Sequence, residues 1–143
     1  MINSPGGSVA AGSIFIQAMD IAKARGVRFK CVVTSIAASM ATHIYGNCND
    51  RYAFASSFIL WHEAYQQFGF GATMTEQEMR DTAEQLRLLT GRLEYRLQKA
   101  LRLTDKQYEY YHKTEMLIPA LALKSLTPNF LTIIHDIDGD FEL

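Results

Sequence analysis

The chain predicts an α/β fold on three observations: a glycine turn running into a capped helix, an apolar β-branched segment after that helix, and a long amphipathic helix in the second half. Met1 to Gly7 reads as the last residues of a strand entering a tight turn at Pro5-Gly6-Gly7, which suggests a fragment or a shortened relative. Ser8 caps a helix that runs to about Arg25, with Val9, Ile14, Ile16, Met19 and Ile21 on its apolar faces and Gly26 as its stop. Val27 to Thr34 becomes apolar and β-branched, as a buried strand of an α/β protein does. Ser35 to Ala41 is rich in small residues and leads into a short helix through Tyr45, closed near Gly46.

Asn47 to Arg51 reads as a polar loop, and Tyr52–Ala55 and Phe58–His62 as short strands on either side of a turn at Ser56-Ser57. Gln66 to Ala72 has the glycine content of a linker. Thr75 with Glu78 forms a capping box, and apolar residues recur from Met79 through Leu86, Leu93 and Leu97 to Leu101. About 25 residues at roughly 1.5 Å each make a helix near 40 Å long, more than a small core needs, so its end is expected to project and meet another subunit. Thr104 caps a further helix towards Lys113, Pro119 or Ala120 to Leu126 forms another before Pro128, and Leu131 to Ile134 reads as a strand ahead of an acidic end at Asp136, Asp138 and Asp140.

With 143 residues, 48% of them apolar, the chain suits a single domain over 1–143. Fourteen basic and 15 acidic residues are spread along its length for a net charge of −1, which lacks the basic footprint of a nucleic-acid binder. Nothing in it reads as a membrane span or a signal peptide. Cys31 and Cys48, with no C-x-x-C, read as two reduced thiols of a cytoplasmic protein, and no metal or organic cofactor is expected.

A serine nucleophile needs an imidazole base, a group that orients it, and donors for the oxyanion. Ser39 sits between a strand and a helix among Ala37, Ala38 and Ala41, whose small side chains let a peptide come close. The N–H of Met40 follows it. The Pro5-Gly6-Gly7 turn offers a second donor, assigned to Gly7, and lacks the pattern of a phosphate loop. His62 closes the apolar strand Phe58-Ile59-Leu60-Trp61, where α/β enzymes place catalytic side chains. His43 shares a helix face with Ser39 and is the weaker base; His112 and His135 read as surface residues.

Asn3-Ser4-Pro5-Gly6-Gly7-Ser8-Val9, Ala37-Ala38-Ser39-Met40 and Trp61-His62, in that order and at similar intervals, resemble the signature segments of the Clp protease proteolytic subunit. The resemblance implies a crotonase-like α/β fold with repeated β-β-α units and a long projecting handle helix. It also implies a serine endopeptidase with Ser39 as nucleophile, His62 as base, and Gly7 and Met40 as the oxyanion hole. Stacked homo-oligomeric rings, an unfolded-protein or peptide substrate and a partner AAA+ ATPase belong to the same implication. Alignment through the late helix puts Glu115 where the family usually has an aspartate, with Asp105 and Glu109 as alternatives. Thr34-Ser35-Ile36 and Glu63-Ala64-Tyr65-Gln66 replace the family's glycine before the serine segment and its glycine-rich strand, and the N-terminal strands and ATPase-contact segment have no counterpart. A phage-type capsid-maturation protease, a non-catalytic structural subunit and an acyl-CoA hydratase or isomerase of the crotonase group are the rival expectations.

Overall fold

The computed structural model describes residues 1–64 and 73–135. In chain order the elements are β1 (Ile2–Ser4), α1 (Val9–Ala24), β2 (Lys30–Ala38), α2 (Met40–Gly46), β3 (Asp50–Phe54) and β4 (Phe58–Leu60). There follow α3 (Glu76–Leu101), α4 (Asp105–Thr114), β5 (Ile118–Pro119), α5 (Ala120–Leu126) and β6 (Thr132–Ile134). The linker expected at Gln66–Ala72 and the acidic end at Asp136–Asp140 lie outside the described residues.

The six strands form one sheet organised around β2. β1 pairs parallel with it, Ile2 opposite Val33 and Ser4 opposite Ala37. β3 runs parallel along its first half, Lys30 to Val33, and β4 parallel along its second, with Ala38 opposite Leu60. β6 adds in parallel to β3, and β5 pairs antiparallel with β4. Parallel strands end at the same edge of a sheet, so the loops after β1, β2 and β4 are brought together there, which is where such folds build sites.

The predicted helices form with their predicted caps. The Ser8 hydroxyl accepts from the Ala11 N–H, and Thr75–Glu78 and Thr104–Gln107 are both reciprocal capping boxes. Strand boundaries moved. β2 begins at Lys30 rather than Val27 and continues through Ile36-Ala37-Ala38, which local composition reads as a turn, because β4 supplies ladder partners for those small residues. His62 lies two residues beyond the end of β4 instead of closing it. β5 was not foreseen; two residues carry no periodicity, and only their pairing with Phe58 and Ile59 defines them.

The core gathers Val33, Tyr45, Ile59, Trp61, Leu97 and Leu123 among its buried members. α3 is divided. Leu93, Leu97 and Leu101 are buried, whereas from Glu76 to Leu89 no residue is buried, and Met79, Leu88 and Leu89 face solvent. This is the free half expected of a projecting helix.

Cys31 and Cys48 correct an expectation: they are joined in a disulfide that ties the start of β2 to the residues after α2. Each reads as an isolated thiol in sequence, but β2 and α2 fold back on each other and set their Cα atoms 6.1 Å apart, inside bonding range.

Candidate active site

Ser39 stands between β2 and α2 with φ 55° and ψ −126°, a conformation L-residues rarely adopt. Such a turn between strand and helix costs about 1–3 kcal/mol and lifts the side chain clear of both elements. The surroundings hold it there. The Ser39 N–H donates to the Leu60 carbonyl at 3.0 Å, and the Ser39 carbonyl accepts from the Thr42 N–H at 3.0 Å.

The β1 turn presses on this elbow. A Cβ added to Gly6, whose φ is +107°, would lie 2.6 Å from the Ser39 Cβ and 2.7 Å from the Ala38 carbonyl oxygen. Only glycine permits that approach. The Gly6 N–H donates to the Ser4 hydroxyl at 3.1 Å, so the donor left over in the turn is the Gly7 N–H. Among the described residues, no protein acceptor takes the Gly7 or Met40 N–H. Gly12 of α1 packs against the Met40 side chain and steadies the first turn of α2.

A cavity of about 530 Å³ opens beside Gly6, Gly7, Met40, Ala41 and Ile44. Ser39 and His62 do not line it, so it borders the oxyanion side and not the whole constellation. Its lining carries no carboxylate. Hydration or isomerisation of an acyl thioester needs acids beside those amides, so the hydratase expectation finds no support.

His62 is carried by the end of β4 and is mostly buried, its side chain 13% exposed. Trp61, fully buried, anchors it: the indole N–H donates to the Tyr108 carbonyl at 3.4 Å and the ring stacks on Tyr108. His62 Nδ1 lies 2.7 Å from the Glu63 carbonyl oxygen. A carbonyl only accepts, so Nδ1 carries the proton in this contact and the lone pair falls on Nε2, the tautomer a general base requires.

Glu115 comes to His62 through the register of β5. Ile59 pairs with Ile118 antiparallel, and continuing that register for three residues sets Glu115 opposite His62. Its carboxylate is 3.9 Å from His62 Nδ1 and 64% exposed, beyond hydrogen-bonding distance. Glu115 itself adopts φ 50° where α4 ends. The two alternative acids are committed elsewhere: Asp105 accepts from Gln98, and Glu109 pairs with Lys113.

His43 is a half-buried residue of α2 beside Leu93 of α3. Burial pushes its imidazole down to about 4, partly opposed by the Leu93 backbone, and Nδ1 finds no partner among the described residues. No contact brings this imidazole to Ser39 among the described residues. His112 corrects an expectation, being half-buried and 3.4 Å from Glu94 rather than at the surface, with an Nε2 that makes no hydrogen bond among the described residues. His135 is exposed as expected.

Sequence reasoning missed Thr42. Its side chain is fully buried, and its hydroxyl lies 2.8 Å from the Ala37 carbonyl and 2.6 Å from the Leu60 carbonyl. A threonine in the first turn of a helix carries no distinguishing signal, since its partners are defined only once β4 has docked on β2.

The sheet edge where β1, β2 and β4 end therefore carries a strained serine elbow with a glycine turn packed against it, and His62 follows two residues beyond β4. The Clp protease family model matches residues 1–116, and the chain belongs to that family. No curated protein matches the chain. The matched span contains the three segments and Glu115, and leaves β5, α5 and β6 beyond its end. Among the described residues no helix is long and apolar enough to cross a membrane, and no cluster of ligands suits a metal ion.

Proposed function

We propose that the chain is a serine endopeptidase subunit that hydrolyses peptide bonds of peptides or unfolded proteins through an acyl-enzyme on Ser39. The Ser39 oxygen attacks the carbonyl carbon while His62 Nε2 takes its proton; the carbonyl oxygen, now negative, accepts from the Gly7 and Met40 amides. Collapse expels the amine, which takes the proton from His62, and water then hydrolyses the ester by the same route. The Glu63 carbonyl orients the imidazole through Nδ1, and Glu115, 3.9 Å from the same nitrogen, fills the acid's place in the triad once it closes on the ring. The observation that carries this reading is the Ser39 elbow with Gly6 packed against it, since a serine that merely began a helix would need neither the positive φ nor the glycine contact.

The family points to homo-oligomeric stacked rings and an AAA+ ATPase that feeds unfolded chains, and the free half of α3 suits a contact between subunits. A fluorophosphonate probe tests the chemistry: labelling at Ser39, abolished in Ser39→Ala, is expected. Absence of label from the intact protein removes the assignment.

One observation favours a second reading, that of a non-catalytic subunit. The Glu115 carboxylate is too far from His62 to hold it and is open to water. In that case the full-length protein assembles into rings yet never labels.

A further inference from the structure

Resting on the reading of Ser39 and His62 as nucleophile and base, we infer that Thr42 is a positioning residue that locks the nucleophile elbow to the strand end carrying the base. The β2–β4 ladder ends at Ala38 and Leu60, so no strand pairing holds the chain between Leu60 and His62 against the elbow. Thr42 extends the connection by one step. Its hydroxyl, on the first turn of α2, is shared between the Ala37 carbonyl of β2 at 2.8 Å and the Leu60 carbonyl of β4 at 2.6 Å.

The Leu60 carbonyl is the common node. It accepts from the Ser39 N–H at 3.0 Å as well as from Thr42, so both of its lone pairs are directed into the elbow. The next residue, Trp61, is fixed to the Tyr108 carbonyl, and His62 follows. Thr42 therefore sets how far Leu60, and with it the imidazole, stands from Ser39. Thr42 and Ala37 are fully buried, so water does not replace the hydroxyl at the Ala37 carbonyl, and the bond to Leu60 is part-buried.

The role differs from bulk packing because a same-shaped side chain without the hydroxyl fills the same space. Thr42→Val keeps the volume and removes the shared proton, leaving the buried Ala37 carbonyl and the part-buried Leu60 carbonyl with one partner fewer. Thr42→Ser restores the hydroxyl on a smaller side chain. A displacement near 1 Å at a reacting pair lowers turnover by about 100-fold, so Thr42→Val is expected to lose about 10- to 100-fold in kcat and in the rate of Ser39 labelling. The peptide KM is expected to stay within about twofold, because the substrate's binding surface is untouched.

The test measures fluorophosphonate labelling rate, and kcat and KM on an unstructured fluorogenic peptide, for the full-length wild type, Thr42→Val, Thr42→Ser and Ser39→Ala, well below each melting midpoint. Support is a folded Thr42→Val slow in labelling and kcat at constant KM, with Thr42→Ser recovering most of the rate. A folded Thr42→Val as fast as wild type, or a Thr42→Ser no faster than Thr42→Val, overturns the inference while leaving Ser39 as nucleophile. A wild type that never labels removes the underlying reading and this inference with it. Should Thr42→Val not fold, Thr42→Ala against Thr42→Ser makes the same comparison.

Discussion

The two halves of the candidate site are built by different means. On the nucleophile side, Ser39, Gly6, Met40 and Thr42 are held by backbone hydrogen bonds, a close glycine contact and burial, with no charged side chain taking part. On the acid–base side, His62 depends on one buried tryptophan behind it, and its acid reaches in from an exposed helix end at 3.9 Å. The first half is a packed object and tolerates little change; the second is a surface arrangement that other contacts, such as a neighbouring subunit, can tighten.

That contrast can be broken most sharply at the two glycines. Gly6→Ala forces a methyl into the Ser39 Cβ and the Ala38 carbonyl, and is expected to reduce Ser39 labelling by about 100-fold or more, since the reacting geometry itself must shift. Gly7→Ala meets nothing within 4 Å and suffers only from its φ of +153°, so it should lose far less. Equal losses in the probe assay would mean that the elbow is not the rigid half.

Stability distinguishes the halves next. The Cys31–Cys48 bond closes a segment that contains Ser39, with a sequence separation of 17 residues, and a loop of that size is worth about 3 kcal/mol. Denaturation in the presence and absence of reductant is expected to show that loss. A midpoint unchanged by reductant would place the bond outside the stable frame.

A pH effect of about 2 kcal/mol should come from the same half. His43 is neutral in the folded protein down to about pH 4 but takes a proton near 6.5 when unfolded. The unfolded chain therefore binds more protons between those values, and stability falls as pH drops through that window, by about 2 kcal/mol between pH 6.5 and 5. His43→Gln is expected to flatten the slope in urea titrations, and a slope equal to that of wild type would assign it to other groups.

The smallest effect belongs to the exposed acid. Glu115→Gln should lower kcat by less than about tenfold, because a solvated carboxylate 3.9 Å away contributes only a weak, screened interaction. A loss of about a thousandfold would instead show that Glu115 closes on His62 during turnover, and would erase the difference between the halves.

Helix caps were legible because they are local: Ser8, the Thr75–Glu78 box and Thr104 announce themselves within four residues. The ordered segments around Gly7, Ser39 and His62 likewise pointed to one chemistry before any contact was known. Strand ends were not legible, because whether Ile36-Ala37-Ala38 extends or coils depends on β4 lying beside it. Nor was the cysteine pair, whose distance is set by α2 folding back on β2.

What the sequence determined by itself was therefore the inventory: which residues can start a helix, bend at a positive φ, or carry a proton, since those properties belong to single side chains and their near neighbours. Tertiary structure alone decided the juxtapositions, namely Gly6 against Ser39, Thr42 across to Leu60 and Glu115 opposite His62. The physical reason is that each joins residues distant along the chain or on separate elements, and such distances exist only once the strands have chosen their partners and their register.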